Sequence, residues 1–141
     1  MKVYIAAPCF SEPELDYNQK IAKSIERAGH EVILPQDYKG NTEALYSACI
    51  DGVEEADVIV ALLNGTDTDS GTSFECGLAR GMDKFVVGFR SDVRENHIDG
   101  LNLMLRYGVT MLVNSLESMI EAIEMAEIEQ NDCGEDIGGE R

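Results

Sequence analysis

Apolar residues gather in five short runs along the chain: KVYIAA (2–7), HEVILP (30–35), DVIVALL (57–63), FVVGFR (85–90) and VTMLVN (109–114). Their length and Val/Ile content predict strands buried on both faces. The intervening segments have a helical period instead. Residues 14–28 place Ile21, Ala22, Ile25 and Ala28 on one face and stop at Gly29, a natural C-terminal cap. Residues 41–56 open on a capping Asn41 and turn Leu45, Ala48, Cys49 and Val53 inward. Further helices are predicted over 72–82, in a short piece near 102–107, and over 115–129 with Leu116, Met119, Ile120 and Ile123 inward.

Strand and helix alternating in this way imply right-handed crossovers and a parallel sheet covered on both sides. The expected fold is a single α/β domain over residues 1–128, a five-stranded, doubly wound parallel sheet in a flavodoxin- or Rossmann-like three-layer sandwich. Ligands of such sheets bind beyond the carboxyl ends of the strands, where strand order reverses. The loops predicted to line a site are therefore Ala7–Ser11, Pro35–Gly40, Asn64–Gly71 and Arg90–Gly100.

The 141 residues carry a formal charge of −16, which disfavours nucleic acid or an anionic membrane as partner and suits a small neutral or cationic ligand. The stretch 129–141, EQNDCGEDIGGER, is acidic, glycine-bearing and poor in apolar residues, and reads as a disordered tail. No apolar run has the length of a signal peptide core or a membrane span, so a soluble, cytoplasmic protein is expected. Cys9, Cys49, Cys76 and Cys133 show no metal-ligand spacing with each other or with His30 and His97. They read as reduced, mostly structural thiols, and no metal is expected.

The first loop, AAPCFSEPE, has no glycine, so dinucleotide and Walker-type phosphate cradles are missing, and no G-x-S-x-G elbow appears. What remains is carboxylates near strand ends. Asp57 opens the third strand, Asp67 and Asp69 follow it, and Glu75 is expected in the first turn of the next helix. There the helix dipole would favour an ionised, nucleophilic Glu75, while Asp69, beside another carboxylate, would hold or relay a proton. Such a pair follows the logic of retaining glycosyl transfer. The same residues also spell a capping box, Thr72-Ser73-Phe74-Glu75, in which Glu75 only bonds back to the helix start. Spacing leaves both readings open. Gly77 and Gly81, four apart, read as a close-packing face against the sheet, Cys76 as core, and Arg90, Asp92 and Arg94 as solvated loop charges.

The run ADVIVALLNGTDTDSGTSFECGLARGMDKFVVGF resembles the nucleoside 2-deoxyribosyltransferase family, as do the opening VYIAAPCF and the segment GLNLMLRYGV. The resemblance spans roughly residues 3–114. It implies that Glu75 attacks C1′ of a 2′-deoxynucleoside, that Asp69 handles the proton on the departing base, and that Asp57 orients sugar or base. It further implies that Tyr4 bonds near the nucleophile, Ala7 and Phe10 flank the ligand, Gln36 or Asp37 lies near the base, and Gly71 belongs to the site. Asn102 and Met104 would be donated across the interface of a dimer-based homo-oligomer. The implied activity is exchange of nucleobases on 2-deoxyribose through a covalent glycosyl-Glu75 intermediate, with no cofactor. Two alternatives stand beside it: an N-glycosidase acting on deoxynucleosides or their 5′-monophosphates, and a non-catalytic nucleoside- or nucleotide-sensing domain. Glu12 and Glu14, with no Arg, in the first loop disfavour a phosphorylated substrate.

Overall fold

The computed structural model describes residues 1–92 and 100–135. Five parallel strands form one sheet: β1 (Lys2–Ala6), β2 (Glu31–Ile33), β3 (Val58–Leu62), β4 (Phe85–Phe89) and β5 (Met111–Val113). Their spatial order is β2-β1-β3-β4-β5, so the winding reverses between β1 and β3. This is the doubly wound α/β sandwich expected from the apolar runs, and the reversal opens a crevice at the carboxyl ends of those two strands.

Alternate strand residues feed two separate cores. Val3, Ile5, Val58, Val60, Val87 and Phe89 pack with Ile21 and Ile25 of α1 (Glu12–Arg27) and Met119 and Ile123 of α5 (Leu116–Glu135). Tyr4, Ala6, Ile59, Ala61 and Val86 face the other way. They meet Val53 of α2 (Thr42–Glu55), Cys76 and Ala79 of α3 (Ser70–Gly81) and Leu105 of α4 (Leu103–Gly108). Burial on both faces explains why β1, β3 and β4 read as continuous apolar runs, while the edge strands β2 and β5 are only partly buried.

Two close approaches shape the second layer. A Cβ built on Gly52 of α2 would lie 2.8 Å from the Tyr4 ring, so glycine is what lets this helix settle against β1. In β4, a Cβ on Gly88 would lie 2.9 Å from a methyl of Leu63. Gly77 and Gly81 differ from expectation: both are exposed, with nothing within 4 Å of a Cβ, so neither packs on the sheet. The helix face that turns inward carries Cys76 and Ala79 instead.

Helix ends account for the other departures. Ser11 caps α1, and the Glu14 carboxylate accepts from the amides of Phe10 and Ser11 at 2.9 and 2.8 Å. That pins the loop after β1. The last helix continues through 129–135, a stretch expected to belong to the tail. Arg90 is buried rather than solvated; it donates to the Gly65 carbonyl at 3.3 Å and lies beside Asp92. Arg94 and His97 lie outside the described residues. Among the described residues no helix is long and apolar enough to cross a membrane.

Candidate active site

Tyr4 sits in the middle of β1 with its side chain fully buried, and its phenol reaches across to α3. There the hydroxyl donates to Glu75 Oε1 at 2.6 Å, a short, charge-assisted hydrogen bond. Strand and helix come from opposite sides of the reversal point, so this bond spans the crevice floor. Glu75 is half-buried.

Glu75 is not in the first turn of α3, because the helix starts at Ser70 with Asp69 as its cap. Asp69 Oδ2 accepts from the Thr72 amide at 2.9 Å and from the Thr72 hydroxyl at 3.2 Å. The capping box that residues 72–75 could form between Thr72 and Glu75 therefore does not form; the cap is Asp69, one turn earlier. The Glu75 carboxylate turns to Tyr4 instead.

The electrostatics also differ from expectation. Burial raises the Glu75 pKa above its usual value, the Tyr4 hydrogen bond pulls it down, the nearby Asp69 charge raises it, and a hydrogen bond with Cys49 lowers it. Burial outweighs the dipole because Glu75 stands beyond the first turn, where the unpaired amides are. Burial, with the negative charge of Glu75, likewise drives the Tyr4 phenol far above its ordinary range, so it remains a donor.

Cys49 on α2 lines one cavity with Tyr4, and burial raises its pKa above the usual value. The helical period places it among the structural thiols on an inner face, and spacing alone gives no sign that this face meets Tyr4. With Tyr4, Ile33, Pro35, Tyr38 and Leu45 it walls a cavity of about 200 Å³. Cys9 and Cys76 stand near Glu75 as well, pushed up to about 11 and about 12, chiefly by burial.

Other expected residues fall into three groups. Ala7 and Phe10 lie on the loop after β1, half-buried and 82% exposed respectively. Gly71 is adjacent to the cap, where a Cβ would approach Asp69 Oδ2 to 3.1 Å. Gln36 is committed elsewhere: its Oε1 accepts from Asn18 at 3.1 Å and its Nε2 donates to the Leu15 carbonyl at 3.1 Å. Asp37 is exposed on the same 3₁₀ turn, Pro35–Asp37.

Asp57 is the clear correction. It precedes β3 at the amino edge of the sheet and accepts from the Lys2 amide at 2.7 Å, whereas the loop that leads to Asp69 and α3 leaves the carboxyl end of β3. In a parallel sheet the first residue of a strand cannot join a site at the carboxyl edge.

Asn102 and Met104 are exposed and line a second cavity of about 490 Å³ with Asp67, Ser73, Gly77 and Arg80, between α3 and α4. Tyr4 and Glu75 do not line it, although it is the larger space; the buried carboxylate network is the better guide to chemistry. Asn102 Oδ1 caps α4 by accepting from Met104 N at 2.9 Å. Among the described residues no three His, Cys, Asp or Glu side chains form a group able to hold a metal ion.

Fold and site define a doubly wound α/β protein with a tyrosine-held carboxylate at its switch point. The family model described as nucleoside 2-deoxyribosyltransferase matches residues 3–122, and the chain belongs to that family. No curated protein sequence matches it. A conserved protein from Enterococcus faecalis is similar in structure, with a TM-score of 0.77 and 26% identity over 89% of this chain and 98% of that one. The 2-deoxyribosyltransferase of Bacillus psychrosaccharolyticus gives 0.73 and 21%, over 85% and 90%. That of Leishmania mexicana gives 0.69 and 24%, over 89% and 97%.

Proposed function

We propose that this protein exchanges nucleobases on 2′-deoxynucleosides through a covalent deoxyribosyl-Glu75 intermediate. The observation that carries the reading is the Tyr4–Glu75 hydrogen bond between β1 and α3, with Asp69 close enough to raise the Glu75 pKa. A carboxylate raised by burial is more basic, and so a stronger nucleophile once ionised. One Glu75 oxygen attacks C1′ and the C1′–N bond breaks, its electrons leaving with the base. Asp69, whose Oδ2 holds the helix cap, has Oδ1 with which to relay a proton from solvent to that base. A nitrogen of the incoming base then attacks C1′, expels the Glu75 carboxylate and loses its proton.

Asn102 and Met104 line a cavity that Glu75 of their own chain does not reach, which fits donation to a neighbouring subunit and hence a homo-oligomer. The 2′-deoxynucleoside and the free base are the small-molecule partners of this reading. Incubation with deoxyinosine and adenine tests it: formation of deoxyadenosine is expected. Release of hypoxanthine alone assigns the protein as an N-glycosidase, and no turnover assigns it as a sensing domain.

A further inference from the structure

We propose that Asn18 and Gln36 are a positioning pair for the substrate: through them α1 holds the loop after β1 and the turn after β2 at one spacing, and so sets the wall against which the nucleoside rests. The inference rests on the reading of this crevice as a 2′-deoxynucleoside site, and not on the covalent step at Glu75.

The inner stripe of α1 is Asn18, Ile21, Ala22 and Ile25, at the i, i+3, i+4, i+7 spacing of a core face. Its first member is an amide at 1% exposure, where packing favours an apolar side chain. Asparagine is also a poor helix former, so nothing in α1 itself accounts for it. Its bonds run instead to the loops that follow β1 and β2. Asn18 Nδ2 donates to the Pro8 carbonyl at 2.9 Å and to Gln36 Oε1 at 3.1 Å, with Cys9 Sγ at 3.6 Å. Gln36 Nε2 donates in turn to the Leu15 carbonyl at 3.1 Å. Each amide meets a backbone carbonyl, which accepts only from N–H, so both have a single orientation.

Pro8 lies two residues beyond the end of β1, on the loop that carries Ala7 and Phe10. Gln36 is the middle residue of the 3₁₀ turn Pro35–Asp37. Leu34, Pro35 and Tyr38 of that segment wall the cavity of about 200 Å³ together with Tyr4, whose hydroxyl bonds Glu75. Glu14 pins the far end of the first loop at Phe10 and Ser11; Asn18 pins its near end at Pro8 and also reaches the second segment. Buried as it is, Asn18 acts on a ligand through these segments and not by contact. A residue that breaks the pattern of its own helix to bond two loops marks a site that it supports.

The test compares full-length wild type, Asn18→Ala, Gln36→Ala and the double variant in the deoxyinosine–adenine exchange. In each single variant KM for deoxyinosine is expected to rise about threefold to tenfold with kcat changed by less than about twofold, since lost positioning weakens substrate and transition state alike. The double variant is expected to be no worse than Asn18→Ala, because the two side chains share one tie. A loss of stability alone would leave KM where it is. Unchanged KM in folded Gln36→Ala, whose side chain is only half-buried, overturns the proposal even where Asn18→Ala does not fold. Effects that multiply in the double variant assign Gln36 to direct contact with the ligand and overturn the pair. If the wild type binds deoxyinosine without exchanging bases, calorimetric Kd takes the place of KM: the same rise leaves the pair standing while the covalent reading fails. Absence of deoxyinosine binding by the wild type overturns the inference.

Discussion

The Tyr4 hydroxyl lies 2.6 Å from Glu75 Oε1, joining the first strand to the third helix across the point where the sheet reverses. Removing that hydroxyl while keeping the ring isolates the bond from the packing against Gly52. Tyr4→Phe is expected to lower kcat by about tenfold to a hundredfold, from the loss of one charge-assisted hydrogen bond. The bond lowers the Glu75 pKa, so its loss also moves the acid limb of the rate profile to higher pH. A pH series of kcat/KM checks both effects.

Burial of Glu75 also makes stability depend on pH. Its folded-state pKa is raised above the usual value of 4.5. The native state therefore binds this proton more tightly than the unfolded chain, and the group's contribution falls as pH climbs from the unfolded value through the folded one. Glu75→Gln removes the burden of ionisation while its amide oxygen still accepts from Tyr4. Melting temperature at neutral pH is expected to rise by about 2–4 °C, with the gain vanishing in acid where the wild-type carboxyl is already protonated. On the proposed mechanism base exchange is expected to be abolished in the same variant, because an amide does not attack C1′.

Asp69 caps α3 and, in the proposed mechanism, also passes a proton, and two substitutions separate the two. Asp69→Asn keeps an oxygen for the Thr72 amide, whereas Asp69→Ala leaves the α3 cap open and is expected to cost about 1 kcal/mol in urea unfolding. Both variants lose the proton donor, so base release is expected to slow by about a hundredfold in each. Loss of the Asp69 charge lowers the Glu75 pKa, so the acid limb moves down, opposite to Tyr4→Phe. Equal exchange rates in wild type and Asp69→Asn would contradict the proton role.

What the amino-acid pattern discloses follows from how local each feature is. Five Val/Ile-rich runs suffice for the sheet, because the central strands β1, β3 and β4, buried on both faces, carry no polar alternation to confuse the period. Asp57 is misplaced by resemblance although strand direction alone excludes it: it stands at the entry of β3, not at its exit. The pattern sets the start of α3 two residues late because Thr72 resembles a cap, while Asp69 outcompetes it with a side chain already in reach of the Thr72 amide. Cys49 and Gln36 lie beyond local reading. One comes beside Tyr4 because Gly52 lets α2 approach β1, and the other is drawn to α1 by Asn18 and Leu15. Such roles are set by packing between elements distant in sequence.

Asn102 carries the question of assembly. Its side-chain oxygen caps α4, so Asn102→Asp keeps that acceptor while replacing the amide donor available to a neighbour with a charged oxygen. Alone, this variant is expected to exchange bases poorly, as is Glu75→Gln. If each site draws Asn102 from the partner subunit, mixing the two inactive proteins under conditions of subunit exchange forms heterodimers in which one of the two sites has both wild-type residues. Random pairing then restores about a quarter of wild-type activity. A site built within one chain gives no recovery in any mixture, since each subunit keeps its own defect. Activity titrated against the mixing ratio, with a maximum at equal amounts, distinguishes the two arrangements.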